Sequence, residues 1–396
     1  MDSTRGIEGL AGTLRRIWAR SIAEIDIASR VRRVVRTGAQ RRVLAVGKAA
    51  TTMLAGAWSE SVTAALLIVP EGSRVAWASP KVTVLFASHP HPTAASVAAA
   101  EAALAFARSG IDLALVSGGS SSLLAAPIAG LSLDDKRAIV SRLMAEGLPI
   151  TTINVARRHM SRVKGGRLAA ASPTPIRSVA LSDVIDGQIH DIGSGPTVAD
   201  PTTIDDARRI LSAYGIEAPL EESLKREEAE RLGLEGVIVA KPEDLAEKAT
   251  MLVADEGLTP YSMPPATTQV EELAAGYIGL AQALLPGQVV VRVAEPVLKV
   301  TTAKPGRGGR STHLCALVGP RLPKNTVFFA AGSDGVDGTS GMAGGVVHSA
   351  SFDEARAKAA LAAFDTGTLL SAARATVGDG APTGLNLCDL HLLARL

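Results

Sequence analysis

Ser117-Gly118-Gly119-Ser120-Ser121-Ser122 follows the apolar run 111–116 (IDLALV). A Gly/Ser turn between a buried strand and a helix turns backbone N–H groups toward one point at a positive helix end, which suits an anion. The same residues also serve a tight turn that binds nothing. The turn is not a Walker A loop, because no Gly-Lys-Ser/Thr follows at the required spacing, and it lacks the Gly-x-Gly-x-x-Gly dinucleotide pattern. Farther on, Arg157, Arg158, Arg162, Lys164 and Arg167 place five cations within eleven residues. Arg158 and Arg162 share a helical face at i,i+4. Such a cluster can clamp a phosphate or carboxylate, or form a solvated face or an ion-pair network.

Two acidic loops complete the inventory. Ser182-Asp183-Val184-Ile185-Asp186-Gly187 leads to Asp191-Ile192-Gly193-Ser194-Gly195-Pro196-Thr197. Carboxylates at a strand end beside a Gly-Ser-Gly turn suit a Mg²⁺ shared with phosphate oxygens, although Asp and Gly also form turns without a metal. Gly332-Ser333-Asp334-Gly335-Val336-Asp337-Gly338 follows the apolar run 327–331. Its two aspartates can position a metal or accept a proton from a hydroxyl, or simply close Asx turns. The basic stretch 304–310 (KPGRGGR) and the Pro-Thr-Gly turn at 382–384 carry little signal alone. His89-Pro90-His91-Pro92 reads as a stiffened loop rather than a metal site.

The elements that hold these groups alternate. Arg42–Val46 (RVLAV), 65–69 (ALLIV), 82–86 (VTVLF), 111–116 and 178–181 read as strands. Helices are expected over 94–109, 133–146 and 153–170. Continuous apolar strands separated by helices imply a parallel sheet covered on both faces, with ligand sites at strand carboxyl ends. Gly47-Lys48, the Ser-Gly-Gly turn and Ser182-Asp183 all fall at such ends. The charge-dense stretch 217–231 marks a boundary, and a second α/β segment is expected from the run 237–240. Its further strands are expected at 289–293, 297–301 and 327–331, with 261–268 a Pro-containing loop. The expected fold is two α/β domains, 1–235 and 236–396, with an interdomain cleft.

Composition excludes several classes. The 396 residues carry 41 Lys plus Arg against 39 Asp plus Glu, a net charge of +2, which argues against a phosphate-coating nucleic-acid binder. Six Phe, three Trp and three Tyr are too few for base-stacking platforms. With 47% hydrophobic and 20% charged residues the chain is not disordered. No apolar stretch reaches a membrane span, and Leu10, Leu14, Ile17, Trp18, Ile22 and Ile25 are spaced for an amphipathic helix rather than a secretion signal. Cys315 and Cys388 form no metal or disulfide framework, so a reducing, cytoplasmic location is expected. The sequence permits a homodimer without specifying one.

Read in order, several stretches resemble the MOFRL-type glycerate 2-kinase family, whose members often carry a hydroxypyruvate reductase label. They are Val46-Gly47-Lys48-Ala49-Ala50, His89-Pro90, 117–124, Ile153-Asn154 with Arg157-Arg158-His159, and Lys164-Gly165-Gly166-Arg167. Leu181-Ser182-Asp183-Val184, Gly193-Ser194-Gly195-Pro196-Thr197, Asp200-Pro201-Thr202, Gly308-Gly309-Arg310, 332–338, 382–386 and Asp389-Leu390 also match. The resemblance implies a Rossmann-like first domain, a MOFRL-type second domain, and transfer of the γ-phosphoryl group of ATP to the 2-hydroxyl of glycerate with Mg²⁺. It implies that Lys48 and Arg310 stabilise charge on that group, and that Asp183 and Asp334 hold Mg²⁺ or orient the hydroxyl. Asp337 joins them as a metal-ligand candidate. The residues from Ser117 to Ser122 are expected to bind nucleotide, and Arg158, Lys164, Glu295 and Asn386 the small hydroxy acid.

The second half departs from the family. Lys241-Pro242 stands where members read Ser-Asn, Val293-Ala294-Glu295-Pro296 where they read Gly-Gly-Glu-Thr, and Arg310-Ser311-Thr312-His313 where they read Arg-Asn-Gln-Glu. Ile185-Asp186-Gly187 inverts the usual Gly-Asp order. These changes leave two alternatives to a glycerate kinase. One is a substrate-diverged or non-catalytic homologue binding a small anion. The other, a reductase, lacks a dinucleotide fingerprint.

Overall fold

Arg42–Val46 is buried from its second residue on and forms strand β1. Ala64–Pro70 (β2), Val82–Ala87 (β3), Leu113–Val116 (β4), Arg177–Leu181 (β5) and Glu235–Ala240 (β6) join it in one sheet ordered β3-β2-β1-β4-β5-β6. Every pairing is parallel. The computed structural model describes residues 3–35, 41–75, 77 and 79–396. These strands belong to a compact unit, Ile27–Ala240. Helices cover the sheet, and Ala94–Arg108 is started by a Thr93 capping box. The expected helix 153–170 is two helices, Ile150–His159 and Arg167–Ala170. Gly165 and Gly166 break it: both have positive φ, and their N–H groups donate to Ser194 O and Gly195 O rather than to helix carbonyls.

The second compact unit takes the chain up to Asp26 together with Lys241–Leu396. Thr259–Ser262 (β7), Gln288–Ala294 (β8), Thr326–Gly332 (β9), Gly344–His348 (β10), Thr376–Val377 (β11) and Asp389–Arg395 (β12) form a sheet ordered β11-β10-β9-β12-β8-β7. Only the β7–β8 pairing is parallel. The helix Ser3–Glu24 packs here: Leu14 and Ile17 are fully buried and the Trp18 ring lies 6.4 Å from that of Phe329. Burial of two such aliphatic side chains contributes about 1.5–3 kcal/mol each.

The molecule is therefore α/β, with a parallel six-stranded sheet in one unit and a second sheet in the other. Three expectations are corrected. The run 237–240 is not the start of the second segment but the edge of the first sheet, because the charge-dense stretch loops back to it. The N-terminal helix goes with the second unit, since its apolar face finds β9 there. The run 297–301 is not a strand: Pro296 precedes it, and Val297 and Val300 are about half exposed.

Candidate functional site

In the first unit the chain runs outward from β1 to β2 and β3, and the other way through β4, β5 and β6. The reversal opens a crevice at the carboxyl ends of β1 and β4, the place where α/β sheets bind ligands. Gly47-Lys48 leaves β1 there, and Ser117-Gly118-Gly119 leaves β4. The two turns are tied together. Lys48 N–H donates to Gly118 O at 2.9 Å, Ala49 N–H to Ser117 Oγ at 3.1 Å, and Ser117 N–H to Val46 O at 3.0 Å. Gly47 sits at φ +124°, and a Cβ there would meet Ser117 Oγ and lie 2.6 Å from Ser117 O. At Gly119 (φ +84°) a Cβ would lie 3.3 Å from Lys48 Cγ and 3.2 Å from His89 Cδ2. The Lys48 stem, the His89 ring and the Ser-Gly-Gly turn therefore share one wall. The N–H groups of Gly118 and Gly119 donate to no acceptor among the described residues.

The serines after this turn divide in role. Ser117 is fully buried and acts as the strut just described. Ser120 is buried against Gly193. Ser121 Oγ meets Ser194 Oγ at 3.2 Å, and Ser122 Oγ donates to Pro90 O at 2.7 Å. Asp183 is half-buried in the turn after β5, where Ser182 Oγ accepts the Val184 N–H.

The basic segment resolves against two expectations. Arg158 is 1% exposed. Its Nε lies 3.1 Å from Asp200 Oδ1 and its Nη1 3.5 Å from Asp191 Oδ1, so it is an internal ion pair rather than a substrate contact. Lys164 is 2% exposed, with Nζ donating to Ser121 O (2.7 Å) and Leu124 O (2.8 Å). Burial and the nearby charges of Lys136 and Arg157 push its pKa well down. It ties main chain and does not reach a substrate directly. Arg157, one residue before Arg158 and so turned to a different helical face, is half-buried, and its Nη1 donates to Asn154 Oδ1 at 3.3 Å.

In the second unit Arg310 opens the helix Arg310–Val318. Its Nη1 holds Glu295 Oε1 at 2.8 Å and its Nη2 faces Asp389 Oδ1 at 3.4 Å. Burial opposes the guanidinium charge, but Asp389 and Glu295 outweigh it and hold its pKa above the ordinary value. Ser311 Oγ donates to Asp389 Oδ2 at 3.3 Å. Burial raises the Asp389 pKa to about 7; Arg310 pulls it down, while Asp337, Asp334 and Glu295 push it up. Asp334 is half-buried on the turn after β9, with Oδ1 accepting the Val336 N–H. A Cβ on Gly332 would lie 3.0 Å from Asp334 Oδ1 and 3.4 Å from Asp389 Oδ1, so the two carboxylates flank that glycine. Asn386 is buried in the segment pinned to this turn by Thr383 N–H to Asp334 O (3.0 Å) and Leu387 N–H to Ser333 Oγ (2.7 Å).

Asp337 has another role than metal ligation. Its Oδ1 and Oδ2 accept the N–H groups of Ser311 (3.0 Å) and Thr312 (2.8 Å). It caps the helix that Arg310 begins, a favourable place for a carboxylate. Burial nevertheless raises its pKa, against the pull of those two amides. His313, where the family resemblance implies a carboxylate, is buried and stacked on Phe364 at 5.4 Å. In the sequence Asp389 carries no site signal beyond its place beside Leu390 in the matched stretch.

Among the described residues no three His, Cys, Asp or Glu form a group able to hold a metal by themselves. A Mg²⁺ carried on phosphate oxygens needs only one or two carboxylates. Each of Asp183 and Asp334 is a half-buried carboxylate on a turn that follows a strand, whereas Asp337 has both oxygens committed to amides. No helix among the described residues is long and apolar enough to cross a membrane.

Residues 13–227 match a family described as a domain of unknown function (DUF4147), and residues 288–389 match the MOFRL family. A protein of Agrobacterium vitis named "Putative hydroxypyruvate reductase" is 33% identical over 96% of this chain and 92% of its own. A glycerate 2-kinase of Pyrococcus horikoshii is 32% identical over 70% of this chain and 69% of its own. The crystal structure of a glycerate kinase from Thermotoga maritima covers 98% of this chain and 100% of that one, with TM-score 0.81 and 25% identity. With both domains matched in order along its length, the chain belongs to the MOFRL-type glycerate 2-kinase family.

Proposed function

We propose that the protein transfers the γ-phosphoryl group of ATP to the 2-hydroxyl of glycerate, or of a closely related small hydroxy acid, giving 2-phosphoglycerate and ADP. The observation that carries this reading is the β1/β4 crevice, where Lys48 stands beside the Gly118 and Gly119 amides, which have no acceptor among the described residues. Such donors favour a polyphosphate. The relatives named as glycerate kinases support the acceptor.

Phosphoryl transfer rests on positioning and electrostatics. Lys48 and Arg310 are assigned to negative charge on the moving phosphoryl group. Glu295 and Asp389 fix the plane of the Arg310 guanidinium, so that no reorganisation is needed when charge develops. Bound Mg²⁺ would neutralise charge on the phosphate oxygens, with Asp183 or Asp334 the carboxylate to hold it. Asn386 is assigned to the acid.

A coupled ADP-release assay with glycerate and ATP tests the reading. Turnover is expected, and Lys48→Ala is expected to depress kcat; robust turnover by that variant would remove Lys48 from the mechanism. The substitutions at 293–294 and 311–313 favour a non-catalytic homologue as the second reading, which predicts no turnover with any small acid. A reductase is disfavoured. The strand order is shared with dinucleotide-binding folds, but fold does not assign chemistry, and the turn after β1 has a single glycine. Unchanged NADH absorbance with hydroxypyruvate is the expected result.

A further inference from the structure

The first unit holds a run of linked polar groups that ends in unspent donors. Lys164 Nζ donates to Ser121 O, Ser121 Oγ meets Ser194 Oγ at 3.2 Å, and Ser194 Oγ donates to Asn154 Oδ1 at 3.2 Å. Arg157 Nη1 donates to the same Asn154 oxygen at 3.3 Å. Asn154 and Arg157 stand at i,i+3 on the helix Ile150–His159, which puts them on one face. Lys136, also buried, caps the end of that helix through Met160 O at 2.8 Å.

What this group lacks is an acid. Among the described residues no carboxylate lies within 4.0 Å of Lys136, Arg157 or Lys164, whereas the neighbouring Arg158 has two and Arg162 and Arg167 have one each. The donors are also in surplus. The Asn154 carbonyl accepts two hydrogen bonds while its amide nitrogen donates to none of the described residues. Arg157 has five N–H donors and spends one of them on a described residue. Arg157 and Ser121 both keep partial access to solvent. Burial, with repulsion from Arg157 and Arg167, lowers Lys136 to about 7, and burial, with repulsion from Lys136 and Arg157, holds Lys164 well below the ordinary lysine range. Buried cations without a partner acid are costly, and the unspent donors of Asn154 and Arg157 are not among the buried, unpartnered side-chain atoms, which leaves them open to a ligand. A ligand with acceptor oxygens and negative charge serves both at once.

We infer that Arg157, Asn154, Ser121 and Ser194, backed by Lys164, form a subsite for one oxyanion, a carboxylate or a phosphoryl group of a small ligand. The subsite deepens the phosphotransferase reading, and its catalytic relevance rests on that reading. Both ligands of such an enzyme carry a suitable group: the hydroxy acid its carboxylate, the nucleotide its phosphates. Ser121 lies on the short helix that follows the Gly118-Gly119 turn, so the subsite adjoins the proposed nucleotide cup.

The test is binding, read by calorimetry and by thermal melting on the full chain, with glycerate, inorganic phosphate and ATP as separate probes. Wild type is expected to bind at least one probe, and Arg157→Gln to weaken that binding by about tenfold or more, with Arg157→Lys retaining most of it. Asn154→Asp places a carboxylate among the cations. It is expected to melt above wild type without ligand and to lose the anion response, an outcome that misfolding cannot mimic. Weakened glycerate with ATP unchanged assigns the site to the carboxylate; weakened ATP or phosphate with glycerate unchanged assigns it to a phosphoryl group. Wild type that binds none of the three probes overturns the inference. So does retention of wild-type affinity for all of them by both Arg157→Gln and Asn154→Asp. Absent ADP release alongside these binding shifts counts against the phosphotransferase reading alone.

Discussion

Arg310 faces Asp389 at 3.4 Å through one guanidinium nitrogen while another holds Glu295 at 2.8 Å. A planar fork can meet both carboxylates; an ammonium is a single point and cannot. Arg310→Lys is therefore expected to lower kcat in the ADP-release assay by about 10²-fold, the scale seen when one transition-state donor is lost. The melting temperature should move little, because Asp337 still caps the helix. A variant with wild-type kcat would show that the fork is dispensable.

His391 supplies a pH dependence of stability. Its Nδ1 lies 3.0 Å from Tyr277 Oη, and its Nε2 is buried without a partner among the described residues. Burial, with the nearby charges of Arg292 and Arg310, lowers its pKa to about 3 from the ordinary 6.5. Between those values the unfolded chain binds the proton and the folded one does not, so stability is present above 6.5 and is lost as pH falls toward 3. His391→Gln keeps an acceptor for Tyr277 and cannot be protonated. Its urea midpoint should fall less between pH 7 and pH 4 than that of wild type, and equal falls would contradict the assignment.

The first sheet was legible because each of β1 to β5 is a short apolar run flanked by turn residues, a signal carried within a few positions. The run 237–240 was legible as a strand but not as a member of that sheet, since its partner β5 lies more than fifty residues upstream and periodicity says nothing about partners. The basic segment shows the same limit at the site. Arg157 and Arg158 are adjacent, and a step of about 100° around the helix decides which of them meets Asp191 and Asp200 and which stays open. Asp337 looked like a metal ligand because its place in a Gly-rich loop is visible in sequence, whereas the helix end it caps lies on another segment.

Gly47 stands against Ser117 at the crevice. Its φ of +124° and the 2.6 Å that would separate a Cβ from Ser117 O leave no room for a side chain. Main-chain oxygens cannot swing aside as a rotamer does. Gly47→Ala is expected to cost at least about 2 kcal/mol in urea unfolding. It should also weaken ATP binding, since the Lys48 N–H to Gly118 O bond depends on this approach. Unchanged stability would mean that the two turns separate at little cost.

Arg158 offers the sharpest separation of structure from recognition. It is among the largest of the fully buried side chains, and Asp200 gains from it a partner that its other bonds, to Thr202 N–H and Oγ1, do not replace. Arg158→Met takes from the buried Asp191 and Asp200 the guanidinium they share, and breaking one side of such a pair costs about 3–5 kcal/mol. Adding Asp200→Asn removes the stranded charge and should restore part of that loss, which a urea double-mutant cycle reads directly. A residue that binds substrate behaves otherwise: Arg158→Met would raise KM for the acid while leaving the urea midpoint in place, and the second substitution would rescue nothing.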